Sequence, residues 1–257
     1  MRIGQSVLKL ACLDGQPEIF YSIQGEGRTA GTPSVFIRTS LCNLHCIWCD
    51  TDYTWNWEGT PFVHENDARP GYRKFDKKTW IKRCSIEEVV ERVLAYPARN
   101  VVLTGGEPLM QQSALVALMH RLRQCDASYR FEVETNGTLL PRAEFEAVID
   151  QYNVSPKLTN SNNPARLRER PAVYFYFARN LKAYFKFVVA QPSDVQEVLC
   201  LQERYGIAAE KIWLMPEGST RQKLAHRRRW LVEVCKIHGF CYTDRLHVQI
   251  WGNRKGV

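Results

Sequence analysis

With 257 residues, 45% of them hydrophobic, the chain has material for one sizeable core, which excludes a disordered or low-complexity protein. Residues 1–6 carry no apolar leader and no window approaches the roughly 18 apolar residues of a membrane span, so a cytoplasmic protein with no membrane partner is expected. Nine cysteines, an odd number, argue for reduced thiols rather than a disulfide framework, and a net charge of +8 suits either a nucleic-acid partner or acidic small molecules.

In chain order, Pro17 to Ile23 reads as an extended segment, and Gln24-Gly25-Glu26-Gly27 follows as a turn. Ser34 to Thr39 alternates in polarity and is rich in β-formers, giving the first central strand. Three cysteines, Cys42, Cys46 and Cys49, follow in the spacing C-x3-C-x2-C. The stretch 51–83 turns irregular, with Trp55, Trp57, Pro61, Pro70 and Gly71 among many charges, and is expected to be an inserted flap. Ser85-Ile86-Glu87-Glu88 is a capping box whose helix keeps Ile86, Val89, Val90, Val93 and Leu94 on one face.

Asn100 to Leu103 is a short strand, Leu115 to Leu122 a helix, and Arg130 to Glu134 the next strand. A helix around Phe145, Val148 and Ile149 leads to the strand Tyr152 to Val154. Residues 158–183 carry no clear pattern and are expected to be a second insertion. Tyr184 to Val189 is a strand, Ser193 to Gln196 caps a helix running to about Gly206, and Lys211 to Met215 is the sixth strand. Residues 219–257 form a C-terminal extension: a helix bearing the basic run Arg221 to Arg229, then a strand from Leu246 to Trp251. The basic run reads as a solvated helix face, with an RNA or anion surface as the alternative.

Six strands alternating with helices predict a parallel sheet with its helices outside, because parallel neighbours need crossover connections. Right-handed crossovers curl such a sheet, so the expected fold is α/β, an open partial (β/α)6 barrel in one domain with its core at about 17–218. Function should gather at the carboxyl ends of the strands. The segments there are the cysteine loop, Thr104-Gly105-Gly106-Glu107-Pro108, Thr135-Asn136-Gly137-Thr138, Ser155-Pro156-Lys157 and Pro216-Glu217-Gly218, all polar or glycine-rich. Gly105 and Gly106 allow close backbone approach to a ligand.

Three thiolates within eight residues can converge only on a common centre, and soft sulfur selects iron–sulfur, zinc or Cu(I). Three ligands suit a 4Fe-4S cluster with one open iron, which can take a small molecule through an amine and a carboxylate. A zinc site completed by His45, or three unrelated core thiols, are the alternatives.

C-x3-C-x2-C with Trp48 just before the last cysteine resembles the signature of radical S-adenosylmethionine (SAM) enzymes, and Gly105-Gly106-Glu107-Pro108 resembles the SAM amine-binding turn of that superfamily. The series Gln24 to Gly27, Phe36-Ile37-Arg38, Cys49-Asp50-Thr51, Thr104 to Pro108, Glu134 to Thr138, Ser155 to Lys157 and the ending Trp251 to Val257 resembles, in order and spacing, the 7-carboxy-7-deazaguanine synthases. That resemblance implies conversion of 6-carboxy-5,6,7,8-tetrahydropterin to 7-carboxy-7-deazaguanine and ammonia. It further implies that a 5'-deoxyadenosyl radical takes a hydrogen from the carboxylate-bearing carbon, that SAM is re-formed, and that the product would feed deazapurine pathways such as queuosine synthesis. It implies a 4Fe-4S cluster on Cys42, Cys46 and Cys49, and Mg²⁺ on Thr51, which would otherwise be a helix cap. SAM would lie against Trp48, Cys49, Gly106, Glu107, Ser155, Pro156, Lys157, Met215, Pro216, Glu217 and Gly218.

Substrate would lie against Ile23, Gln24, Gly25, Glu26, Arg38, Thr104 and Val257, whose terminal carboxylate would close the pocket. The resemblance also implies a homodimer, an electron donor such as flavodoxin or ferredoxin, and no direct nucleic-acid contact. The chemistry of two residues suits these roles. Glu26 offers two oxygens to the adjacent N–H donors of a 2-aminopyrimidinone, unless it is a solvated turn carboxylate. Arg38 can fork onto a substrate carboxylate, unless it forms a structural ion pair. Two further readings compete: an activating enzyme for glycyl-radical enzymes, which shares the cluster and SAM but has no use for Gln24 to Gly27 or Arg38, and a non-catalytic, metal-stabilised RNA-binding module.

Overall fold

A computed structural model describes residues 7–257; residues 1–6, read above as free of an apolar leader, lie outside it. The chain opens with β1 (Val7–Leu13), β2 (Gln16–Pro17) and β3 (Ile19–Ile23), which lead antiparallel into β4 (Pro33–Thr39). The cysteine loop and the flap come next and end in β5 (Ile81–Ser85), which runs antiparallel to β1 from Val7↔Ser85 to Ala11↔Ile81. Then α1 (Ile86–Leu94), β6 (Asn100–Gly105), α2 (Gln112–Cys125), β7 (Arg130–Thr135), α3 (Ala143–Val148) and β8 (Gln151–Val154) alternate. The short α4 (Ala165–Arg168) and α5 (Pro171–Arg179) precede β9 (Ala183–Val189), α6 (Pro192–Tyr205) and β10 (Ile212–Pro216). Finally come α7 (Arg221–His238), β11 (Cys241–Tyr242) and α8 (Leu246–Trp251).

Strands β4, β6, β7, β8, β9 and β10 are parallel neighbours in that order, the six expected from the sequence, and β11 adds a seventh. The sheet does not close on itself, so the molecule is an open partial barrel. Three expectations are corrected. Residues 158–183 are not a loose insertion, because α5 within them is the crossover that parallel β8 and β9 require. The sheet extends past the 17–218 core at both ends, through β1 and β11. Leu246–Trp251 is a helix rather than a strand: its polarity alternates with period two, but β11 already occupies the edge beyond β10 and only Val248 of the six is buried.

Capping chemistry reads as written in α1, where the Ser85 side chain and Glu88 exchange hydrogen bonds with each other's backbone N–H. Each strand divides its side chains by alternation. Val35, Ile37, Val101, Leu103, Phe131, Val133, Tyr152, Val154, Phe185 and Phe187 pack outward beneath the helices in one continuous core. The intervening residues face the concave side and are mostly polar. Near the amino ends these are Ser34, Asn100, Glu132, Gln151 and Asn153; near the carboxyl ends they are Arg38, Thr104, Glu134, Ser155 and Lys186.

The basic run on α7 is not simply a solvated face. Arg221 donates to the Ile250 carbonyl at 2.7 Å, Arg227 pairs with Glu217 at 3.1 Å, and Arg228 with Asp244 at 2.8 Å, pinning the helix to the loop after β10 and to the C-terminal segment. No helix among the described residues is long and apolar enough to cross a membrane.

Candidate active site

A cavity of ≈ 370 Å³ opens at the carboxyl ends of the strands. Cys42, Cys46 and Cys49 line it, and so do Gln24, Gly25 and Glu26 of the loop between β3 and β4. The glycine turn after β6 explains how the cysteine loop is placed. The Gly106 N–H donates to the Thr39 carbonyl at 3.0 Å and the Glu107 N–H to the Leu41 carbonyl at 2.9 Å. A Cβ on Gly105 would strike the Thr39 backbone, one on Gly106 the Leu41 carbonyl, and Gly105 holds φ +129°. Only glycine lets the two loops lie this close.

The far side of the cysteine loop is held by the segment 160–163. Ile47 N–H donates to the Ser161 carbonyl at 3.0 Å, Trp48 Nε1 to the Asn160 carbonyl at 2.9 Å, and Asn163 Nδ2 to Cys46 Sγ at 3.3 Å. Burial pushes all three thiols upward, Cys46 to about 12. Thiols this desolvated ionise only where iron or another cation takes the charge. Among the described residues no three His, Cys, Asp or Glu side chains converge to the distance of a single metal ion. All three cysteines line one cavity, and three soft sulfur donors beside open space suit an iron–sulfur group that leaves one iron without a protein ligand. His45 is turned away from it, stacked on Phe62 and edge-on to Trp55, and burial lowers its pKa to about 4. It cannot complete a zinc site from there.

Most of the residues expected at SAM lie at the cavity. Trp48, Cys49, Gly106, Ser155, Lys157, Met215, Pro216, Glu217 and Gly218 all line the cavity. The Lys157 ammonium sits 5.9 Å from the Trp48 ring centroid and donates to Ser155 Oγ at 2.9 Å. Two expectations are corrected. Glu107 has no exposed surface and does not reach the cavity: its carboxylate accepts from Leu109 N–H (3.0 Å), Thr135 Oγ1 (2.8 Å) and Asn136 N–H (2.7 Å), fastening one strand-end loop to the next. Pro156 is buried beneath the turn, beside Gly137, while its neighbours on either side face the cavity.

Ile23, Gln24, Gly25, Glu26, Arg38, Thr104 and Val257 line the same cavity. Arg38 forms the structural ion pair, Nε to Glu18 at 2.8 Å, and it also lines the cavity; among the described residues its Nη nitrogens have no hydrogen-bond partner. Thr104 Oγ1 donates to Glu134 at 2.7 Å and Gln24 Nε2 to the other Glu134 oxygen at 3.3 Å. Thr51 stands at the N-cap position of a 3-10 turn, yet its side chain makes no capping bond and lies 3.6 Å from Cys49 Sγ.

Glu26 is not a solvated carboxylate. One oxygen pairs with Lys186, the other accepts from Arg245 Nε at 2.9 Å, and His247 lies at 3.9 Å. Burial alone would raise its pKa, but Lys186, Arg245 and His247 together hold it well below the usual carboxylate range. Asp50 is likewise held low against its burial by Arg245 and Lys255. Lys186, Arg245 and His247 were not singled out in the sequence, and Asp50 and Glu134 entered only as parts of motifs, with no role assigned. A lysine at an inward position between Phe185 and Phe187 was the one available signal, since a buried lysine on an apolar strand needs a partner.

A model of the radical SAM superfamily matches residues 36–188. The chain is 37% identical over 241 residues to the 7-carboxy-7-deazaguanine synthase of Pyrobaculum aerophilum, covering 93% of this chain and 95% of that protein. It is 37% identical over 258 residues to the enzyme of that name from Halobacterium salinarum, covering 92% and 90%. With the Rhodopirellula baltica enzyme the figure is 34% over 254 residues, covering 93% and 87%. Its fold matches the crystal structure of QueE from Escherichia coli with a TM-score of 0.67 at 24% identity, over 95% of this chain and 96% of that one.

Proposed function

The chain belongs to the 7-carboxy-7-deazaguanine synthase family of radical SAM enzymes, and from that premise we propose that it converts 6-carboxy-5,6,7,8-tetrahydropterin to 7-carboxy-7-deazaguanine with loss of ammonia. The observation that carries the reading is one cavity that joins three thiols, Cys46 buried and Cys42 and Cys49 half-buried, to a carboxylate kept ionised by Lys186 and Arg245. Cys42, Cys46 and Cys49 would hold the 4Fe-4S cluster, and SAM would lie along Trp48, Gly106, Ser155, Lys157 and 215–218. When bound and given one electron by an external reductant, these groups would supply the radical chemistry that removes a hydrogen atom from the substrate.

The protein's own part is recognition and aim. Glu26, charged across the physiological range, accepts the paired N–H donors of the pyrimidinone ring, and Gln24 and Thr104 add neutral hydrogen bonds. The Nη nitrogens of Arg38, with Nε fixed by Glu18, fork onto the substrate carboxylate at the other end of the heterocycle. Thr51 Oγ1, unused as a cap, is free to ligate Mg²⁺, which tends to bind through few protein oxygens and the ligand's own. The flap residues Glu65, Asn66 and Arg69 and the segment 252–257 also line the cavity. One-electron reduction by a flavodoxin or ferredoxin, a homodimeric assembly and a reducing, cytoplasmic setting belong to the same reading.

The test is anaerobic incubation of reconstituted enzyme with SAM, reductant, Mg²⁺ and the carboxytetrahydropterin. Formation of 7-carboxy-7-deazaguanine with little net SAM loss is expected. Deoxyadenosine without deazaguanine would overturn the substrate while leaving the radical chemistry in place.

A further inference from the structure

Resting on that reading, we propose that Arg245 is a positioning residue that registers the substrate-reading turn against both the cluster loop and the SAM turn. It lies outside the span matched by the superfamily model, in the C-terminal extension. Its guanidinium is spread over three separate elements. Nε donates to Glu26 at 2.9 Å, Nη1 to the Gly218 carbonyl at 2.9 Å, and Nη2 pairs with Asp50. Glu26 faces the substrate, Gly218 ends the SAM wall, and Asp50 sits between Cys49 and Thr51. One rigid planar fork therefore fixes the spacing of all three, which a flexible ammonium could not do.

The backbone around Arg245 supports the same role. Thr243 Oγ1 accepts from Gly27 N–H at 2.7 Å and Leu246 N–H donates to the Gly25 carbonyl at 2.9 Å. A Cβ on Gly25 would fall on the His247 ring, so residues 243–247 and the Gly25–Gly27 turn are packed against each other as one unit. Asp244 Oδ1 accepts from the Arg245 N–H at 2.8 Å, and its other oxygen is held by Arg228 of α7 at 2.8 Å, so the fork is braced from behind. Radical abstraction tolerates little error in the distance between donor and target, and a coupling element across three loops is what such a geometry needs.

The experiment compares R245Q and R245K with wild type as cluster-loaded protein. Calorimetric titration without reductant gives the dissociation constants of SAM and of the carboxytetrahydropterin. Turnover then gives the ratio of deoxyadenosine released to deazaguanine formed. For R245Q the expected result is normal iron content, pterin binding weakened about tenfold or more, SAM binding weakened several-fold, and a raised deoxyadenosine ratio. R245K, which keeps the charge and one donor direction, should restore part of each. Values within about twofold of wild type for both ligands, or loss of the cluster in both variants, would overturn the assignment. If wild type neither binds nor converts the pterin, the substrate reading fails on its own, and SAM affinity still decides the role of Arg245.

Discussion

The two ends of the barrel interior each bury a carboxylate, and they treat it oppositely. At the amino ends, Glu132 accepts from Asn100 Nδ2 (2.8 Å), Thr29 Oγ1 (2.7 Å), Asn153 Nδ2 (3.0 Å) and Gln151 Nε2 (3.4 Å), all neutral groups fixed on strands or on the β3–β4 loop. At the carboxyl ends, Glu26 is held by the cations Lys186 and Arg245 and faces an open cavity. The first arrangement engages both oxygens with donors of the protein itself, one on Oε1 and three on Oε2. The second keeps a full negative charge in a low-dielectric site and lets incoming N–H donors compete for it. On the proposed reading, the carboxylate satisfied by neutral donors serves structure and the one balanced by cations at the cavity serves recognition.

Substitutions at the two ends can break that distinction. E26Q keeps the shape and loses the charge, so kcat/KM for the pterin should fall about a hundredfold, roughly 2.7 kcal/mol, with the cluster intact. A change below about threefold would show that Glu26 is not the pyrimidinone acceptor. K186M should be milder near neutral pH, about tenfold, with a new feature. With one cation gone, burial raises the Glu26 pKa toward the assay range, so activity that needs ionised Glu26 should fall as pH drops. A pH–rate profile parallel to wild type would contradict this. E132Q should have the smallest effect on catalysis, within about threefold, but cost about 1–3 kcal/mol in denaturant unfolding, because an amide N–H₂ would face other donors. Stability unchanged alongside lost activity would reverse the comparison.

The same contrast shows what the sequence could and could not reveal. The six parallel strands were legible because inward and outward residues alternate, as in Arg130-Phe131-Glu132-Val133-Glu134, and the cysteine spacing named its own chemistry. Glu107 was misread because a glycine-rich turn gives no sign of whether its acid points at the ligand or, as here, at the N–H groups of the next loop. Leu246–Trp251 was misread because alternation over six residues is a strand signal that tertiary packing overrode. Arg245 was invisible: its partners, Glu26, Asp50 and Gly218, lie far away in sequence, and no local pattern marks a residue that joins three loops.

Everything at the cavity depends on the three thiols holding a cluster with one open iron. Mössbauer and EPR spectra of anaerobically reconstituted protein, recorded with and without SAM, test this most directly. The expected result is about four irons per chain, one spectroscopically distinct and altered when SAM is added, and loss of that spectrum in C46A. A colourless protein with one zinc per chain, or a cluster indifferent to SAM, would contradict the account.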